Sequence, residues 1–184
     1  TWPGKDELMI AYHDAEWGVP VHDDRKHFEF IVLDTFQAGL SWAIILKKRE
    51  GFRKAFSNFE PEVIAKYDEN VAEVLMNDSG IIRNKLKILA TINNAKMFNK
   101  IAEEFGSFDT YIWQFTQHKT IHNSFKESKM IPAKTEESDA MSKDLKKRGF
   151  KFAGSTICYA YMQAAGMVND HLTSCLKHIE LQKR

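Results

Sequence analysis

Hydrophobic positions recur at helical spacing along almost the whole of this 184-residue chain. Asp23 and Asp24 precede one such stretch, over residues 28–35, and acidic residues favour a helix start. Helices are predicted after Asp23 or Asp24, after Ser41, at Pro61, from Asn70 to Gly80, over 84–105, over 108–115, from Thr135 to Gly149, from Ser155 to about Gly166, and from Val168 to about Ile179. Residues 118–134 lack this period, and strand signals are weak. The sequence therefore predicts an all-α fold.

Length and composition are those of a single globular domain over residues 1–184, with 43% hydrophobic and 28% charged residues. We expect a central helical lobe over about residues 24–165, with segments 1–23 and 166–184 packing together. No run of eighteen apolar residues and no charged-then-apolar leader occurs, so neither a membrane span nor a secretory signal is predicted. Two cysteines are too few for a disulfide framework and favour the cytoplasm.

The net charge is +1, which argues against a protein that coats nucleic acid through bulk charge. Basic residues nevertheless cluster at 47–49, 83–87 and 143–151. Such clusters can contact a few phosphates even when the whole chain is near neutral, or they can simply be solvated helix faces.

Flat side chains that can form hydrogen bonds are dense near the N-terminus. Residues 12–20 contain a Tyr, a His, two carboxylates and a Trp, and residues 37–42 contain a Gln and a second Trp. These side chains suit a flat ligand, such as a nucleobase outside its stack, although they can also be ordinary core. A second polar cluster, Asn169-Asp170-His171 followed by Cys175, favours a site.

Residues 148–156 join two predicted helices and contain two glycines. Gly149 can end the first helix in a left-handed conformation, and Gly154 permits a close backbone approach at the start of the second. N–H groups at a helix N-terminus bind phosphate oxygens without reading sequence, and Lys151 lies beside them. Lys151, Gly154 and Ser155 are thus candidate DNA contacts, and a plain helix connection is the alternative.

Three residues have side chains that bind zinc. His171 and Cys175 are four positions apart, which would place them on one face of a helix, and His13 supplies a third ligand if the chain ends meet. The alternative is a buried, hydrogen-bonded His and a small apolar Cys.

Six motifs in order resemble the 3-methyladenine DNA glycosylase I family, at residues 11–20, 37–42, 46–50, 79–83, 145–152 and 168–171. The resemblance is colinear and spans nearly the whole chain. It implies a helix-hairpin-helix fold and the excision of N3-methyladenine from double-stranded alkylated DNA, with free 3-methyladenine as product. It also implies a monomer in the bacterial cytosol and a zinc ion that ties the two chain ends together.

The resemblance places Trp2, Tyr12, Trp17 and Trp42 around the extruded base. It also places Asp34 where the family usually carries Glu. Because Asp is one methylene shorter than Glu, its reach to the base could need a water molecule or a small shift.

The loop before Trp42 contains Gln37, Gly39 and Leu40, and by resemblance it enters the gap that the base leaves, with Leu40 as a wedge. By the same resemblance the zinc ligands are His13, His171 and Cys175. The remaining family ligand is a Cys just before the position of Thr1, which lies outside this sequence. Such a zinc ion would be structural.

Related helix-hairpin-helix glycosylases carry a catalytic Asp where this chain has Asn169. The resemblance therefore implies a hydrolase without lyase activity that relies on the lability of its charged substrate. Two alternatives stay open: a helix-hairpin-helix module that binds damaged DNA without cleaving it, and a hydrolase that uses a zinc-bound water.

Overall fold

The computed structural model describes residues 3–183 and confirms the helical fold. Within these residues there are ten α-helices and one pair of short strands. The helices are α1 (Glu7–Ala15), α2 (Asp24–Gln37), α3 (Trp42–Ala55), α4 (Pro61–Ile64), α5 (Glu69–Met76), α6 (Lys85–Phe105), α7 (Phe108–Trp113), α8 (Glu136–Lys147), α9 (Ser155–Ala164) and α10 (Leu176–Gln182), and the strands are β1 (Ile121–His122) and β2 (Val168–Asn169).

Most predicted helix starts are confirmed by their capping bonds. Asp23 accepts a hydrogen bond from the Lys26 N–H, and Thr135 forms a reciprocal capping box with Ser138. Pro61 is the first residue of α4, where its missing N–H costs nothing.

Two predicted caps are wrong by one or two residues. The N-cap of α5 is Asp68 rather than Asn70, and Gly154 rather than Ser155 stands at the cap position of α9. Ser41 precedes α3 as predicted, but its side chain makes no capping hydrogen bond.

The two ends of the chain differ most from the prediction. Helix α1 was not predicted, because its exposed Leu8 and Ile10 give the segment no single apolar face. The helix predicted from Val168 is wrong: Val168 pairs in parallel with Ile121 in the two-stranded sheet, and α10 begins only at Leu176.

The apolar positions of α6 are only partly buried. Leu86 and Leu89 are 73% and 41% exposed, whereas Ile88, Ile92 and Ala95 are buried. The core face of α6 therefore includes Ile92 and Ala95, whereas the two leucines near its start lie outside it.

Helix α2 lies at the centre of the core. Phe28, Phe30, Leu33 and Phe36 are fully buried on it, and α3, α6, α7 and α9 pack around it. Since α2 is buried on nearly every side, a carboxylate on it needs a specific explanation, and Asp34 is such a residue.

The segment after α1 packs against the end of α9. The Gly18 N–H donates to the Gln163 carbonyl and the Val21 N–H to the Ala165 carbonyl, at 2.9 and 3.1 Å. Gly166 has a φ of +69° and lies so close to the Val19 backbone that a Cβ would not fit. No helix within residues 3–183 is long and apolar enough to span a bilayer.

Candidate active site

A cavity of about 440 Å³ lies between the N-terminal segment, α2, α3, the 128–133 segment and one face of α9. All of the described residues that the resemblance placed around the base line this cavity. These are Tyr12, Trp17, Asp34 and Trp42, and Gln37 joins them. Trp2, which was placed with them, lies outside the described residues.

Two buried polar atoms in this cavity have no hydrogen-bond partner among the described residues. One is Oδ2 of Asp34, whose residue is 4% exposed, and the other is Nε1 of Trp42. Burial raises the pKa of Asp34 well above its usual range, because no neighbouring cation offsets the loss of hydration. An unpaired buried carboxyl is costly, so these atoms indicate a ligand that offers a donor or a positive charge to Asp34.

Aromatic rings form the walls. The ring centroids of Tyr12 and Trp42 are 5.3 Å apart at an interplanar angle of 51°, and Trp17 lines the same space. Burial, followed by the nearby charge of Asp34, raises the pKa of Tyr12, so its hydroxyl stays protonated. The cavity thus combines flat apolar faces with one buried carboxyl, which suits a planar cation.

Sequence reasoning missed the remaining walls. One face of α9 contributes residues 156, 159, 160, 163 and 164, whose spacing is that of a helix face. That spacing is visible in the sequence, but nothing in it says what the face opposes. Ser128, Ile131, Pro132 and Ala133 contribute from the irregular segment, which carries no sequence signal for this role.

The loop between α2 and α3 is tightly held beside the cavity. Gln37 Nε2 donates to the Leu40 carbonyl at 2.8 Å, and the Leu40 N–H donates back to the Gln37 carbonyl. Buried Lys87 donates to the carbonyls of Phe36 and Ala38. Gly39 and Leu40 do not line the cavity, and Leu40 packs partly against the core.

The hairpin between α8 and α9 is clamped by α6. Asn94 accepts from the Lys151 N–H and donates to the Lys151 carbonyl, and Asn93 donates to the Gly149 carbonyl. The Lys151 N–H is therefore not available to a phosphate. The N–H groups of residues 154–156 have no acceptor among the described residues, and Thr156 lines the cavity, so α9 joins the hairpin to the cavity.

Behind the cavity, His13, His171 and Cys175 place one nitrogen or sulfur atom each within 4.8 Å of one another. Cys175 Sγ lies 3.9 Å from His13 Nε2, and the buried Nε2 of His171 has no partner among the described residues. The helical spacing argument for this pair was wrong, since residues 171–175 form a turn closed by the bond from the Cys175 N–H to the Leu172 carbonyl.

Both histidines are oriented through Nδ1. Asp14 lies 2.7 Å from Nδ1 of His13, and the Asn169 side-chain oxygen lies 3.0 Å from Nδ1 of His171. Burial, and then the proximity of His13, lowers the pKa of His171 to about 4, so this imidazole is neutral at pH 7. A neutral imidazole that donates through Nδ1 keeps a lone pair on Nε2, as metal ligation requires. Two imidazoles and a thiol fit zinc.

Trp17 connects this cluster to the cavity. Its ring centroid lies 4.6 Å from that of His171 and 6.0 Å from that of His13. None of the three candidate ligands lines the cavity itself. The cluster is therefore placed to support a wall rather than to contact what the cavity contains.

Residues 2–178 match the sequence profile of the methyladenine glycosylase family. The chain belongs to this family. It is 48% identical over 174 residues to DNA-3-methyladenine glycosylase 1 of Escherichia coli, covering 95% of this chain and 93% of that protein. It is 47% identical to the DNA-3-methyladenine glycosylase of Haemophilus influenzae, over 95% of this chain and 94% of the relative.

Solved methyladenine glycosylases share the fold. A crystal structure of 3-methyladenine DNA glycosylase I matches with a TM-score of 0.93 at 48% identity, covering 95% of this chain and 96% of that one. A Tyr-to-Phe mutant in complex with 3-methyladenine matches at 0.94 and 32% identity, over 96% of this chain and 95% of that one. A Glu-to-Gln mutant of the Staphylococcus aureus enzyme matches at 0.92 and 33% identity, over 95% and 94%.

The position at which related glycosylases carry a catalytic Asp is occupied here by a hydrogen-bonded Asn. Asn169 is fully buried, and its side chain bonds to His171, to the His178 carbonyl and to His122. Asp170 is the next residue along the chain. It follows β2, and it accepts hydrogen bonds from two residues that line the cavity, Tyr159 and Gln163.

Proposed function

We propose that this protein is a monofunctional DNA glycosylase that hydrolytically releases N3-methyladenine from alkylated DNA. The observation that carries the proposal is the unpartnered Asp34 carboxyl among the aromatic walls of the cavity. N3-methyladenine in DNA is a planar cation, and such a base offers flat faces to the aromatic walls and a positive charge to Asp34.

The mutated relatives support this assignment of residues. One solved relative carries a mutation at a tyrosine, and another carries a mutation at a glutamate. We propose that Tyr12 and Asp34 occupy those two positions, with Asp in place of Glu. The family relationship also favours an enzyme over a module that only binds DNA.

The proposed chemistry relies on the substrate more than on a general base. A cationic base leaves as a neutral molecule, so its glycosidic bond is already weak. Asp34 stabilises the charged base through its 6-amino group, and the aromatic walls exclude water from it. Undamaged adenine lacks the charge and the methyl group, so it gains less from Asp34. The described residues that line the cavity include no lysine, which is consistent with hydrolysis without a Schiff base.

We propose that zinc binds His13, His171 and Cys175 in a structural role. The Cys that the resemblance places just before Thr1 would complete the site. When bound, zinc would supply a fixed link between the N-terminal segment and the turn before α10. Because Trp17 packs on both histidines, this link would set the position of one cavity wall.

The test of the proposed function is release of free base from methylated duplex DNA. We expect N3-methyladenine as a released product, without strand cleavage at the resulting site. A chain that binds methylated DNA but releases no base would contradict the enzyme assignment and favour the binding module.

We further propose that duplex DNA contacts the start of α9 and the loop with Gly39 and Leu40. Gly154→Asp is expected to reduce affinity for a DNA duplex at least tenfold. Nothing lies within 4 Å of a Cβ at Gly154, and Asp is a good N-cap residue, so the fold should be unchanged. The new carboxylate would instead repel the phosphate that α9 would bind.

Ser107→Asp is the matched control, because it places the same charge at the N-cap of α7. Fluorescence anisotropy with a labelled duplex gives both affinities. Equal losses in the two variants would mean that only net charge matters, and that the hairpin is a plain connection.

A further inference from the structure

Asp170 organises part of the cavity wall from behind. It is 1% exposed, and its carboxylate accepts from Tyr159 Oη at 2.6 Å, Gln163 Nε2 at 2.8 Å and Asn123 Nδ2 at 2.7 Å. A carboxylate can only accept hydrogen bonds, so the amide of Gln163 must turn its NH₂ group towards Asp170. These bonds fix the orientation of that amide.

The oxygen of the Gln163 amide remains available to a ligand in the cavity. Gln163 lines the cavity, and its Oε1 accepts from no described residue. The backbone carbonyl of Gln163 accepts from the Gly18 N–H, so the residue is also held at its main chain. A fixed, unpartnered acceptor therefore lies in the same cavity as Asp34.

N3-methyladenine has only one group that can donate a hydrogen bond to such an acceptor. In N3-methyladenine attached to DNA, N9 bonds to the sugar, N3 carries the methyl group, and N1 and N7 are acceptors. The 6-amino group holds its only N–H donors. It has two of them, so it can serve both Asp34 and a second acceptor.

We propose that Gln163 accepts a hydrogen bond from the 6-amino group of the extruded base, and that Asp170 is a positioning residue that fixes the Gln163 amide for this role. The inference rests on the proposed function and adds a specificity residue to it. A base without the amino group would leave the amide oxygen of Gln163 facing the base without a donor, which is a basis for rejecting an analogue.

The test compares two free bases, 3-methyladenine and 3-methylpurine, which differ in the 6-amino group alone. Their affinities follow from quenching of tryptophan fluorescence, since Trp17 and Trp42 line the cavity. We expect the wild-type protein to prefer 3-methyladenine, and Gln163→Leu to reduce that preference about tenfold, the value of one hydrogen bond. The preference for 3-methyladenine that remains in this variant would come from Asp34.

Asp170→Asn supplies a second readout. The amide of Asn can accept as well as donate, so the Gln163 amide becomes free to turn its NH₂ group into the cavity. The preference for 3-methyladenine should fall in this variant, with Gln163 itself unchanged. Gln114→Leu, at an exposed glutamine in the segment after α7, is the control and should leave the preference unaltered.

An equal loss of affinity for both bases in Gln163→Leu would overturn the inference, because it would mean that Gln163 is only a wall. An unaltered preference in Gln163→Leu would also overturn it, even if Asp170→Asn failed to fold. Failure of the proposed function gives a different result: a wild-type protein that binds neither base and releases none from DNA.

Discussion

Replacing Asp34 with Asn is expected to lower kcat/KM for release of N3-methyladenine about 100-fold. Asn has the same shape as Asp, so the cavity should be unchanged, but its amide carries no charge to pair with the cationic base. The Asn amide can still accept one hydrogen bond, but the charge-assisted part of that bond and the attraction between opposite charges are lost, and together they contribute about 3 kcal/mol. Single-turnover release from methylated duplex DNA measures it.

The same variant should show a distinct pH dependence. Burial raises the pKa of Asp34, so acidification protonates it and removes the charge that favours the base. Activity of the wild-type protein should therefore fall as the pH drops through this raised pKa. In Asp34→Asn that step should be missing from the pH profile.

Asp34→Asn should also stabilise the fold. Above about pH 4 the unfolded carboxyl ionises while the folded one resists, so the wild-type protein loses stability as the pH rises towards the raised folded pKa. Asn has no such penalty, and we expect a gain in unfolding free energy of about 1–3 kcal/mol at neutral pH, which shrinks under acid conditions. Urea unfolding at several pH values measures this.

Glu29→Gln is the matched control for stability, since Glu29 is a buried carboxylate on the same helix. Burial alone would raise the pKa of Glu29, but ion pairs with Arg49 and Lys26 lower it. This substitution should therefore destabilise the protein at neutral pH. A loss of stability in both variants would mean that Asp34 is an ordinary paired core residue, which would contradict its assignment to the base site.

The contrast between these two carboxylates shows where sequence reasoning ends. Both lie on α2, and the helix itself follows from its hydrophobic spacing and its Asp23 cap. What separates them is the partner across the fold: α3 supplies Arg49 to Glu29, and nothing described pairs with Asp34. Sequence proximity carries no information about such partners, and only the resemblance to the family singled out Asp34.

Contacts between distant parts of the chain also explain the other differences between the predicted and the observed structure. The wall formed by residues 128–133 and the role of Gln163 depend on contacts between segments about a hundred residues from the N-terminal aromatics. The short strand at Val168 exists because Ile121 lies beside it, and a two-residue pairing leaves no periodic signal. Residue chemistry alone was enough to bring His171 and Cys175 together as candidates, although the helix assumed for them is a turn.

Zinc is expected to raise the melting temperature of the full-length protein by roughly 10 °C. Free zinc at a thousandfold excess over its Kd stabilises a folded state by about 4 kcal/mol, and a chain of this size gains about 2–4 °C per kcal/mol. Cys175→Ser should abolish most of this shift and the bound zinc, whereas His118→Asn, at an exposed histidine, should not. Thermal unfolding with metal analysis of the dialysed protein measures both.

Chelation separates a structural from a catalytic metal. If zinc only supports the wall, a chelator should lower the melting temperature and weaken base affinity together, because Trp17 packs against His171 between the metal ligands and the cavity. Loss of base release with an unchanged melting temperature would instead favour a zinc-bound water as nucleophile. The location of all three ligands outside the cavity favours the first result, since a catalytic metal needs an open position that faces the substrate.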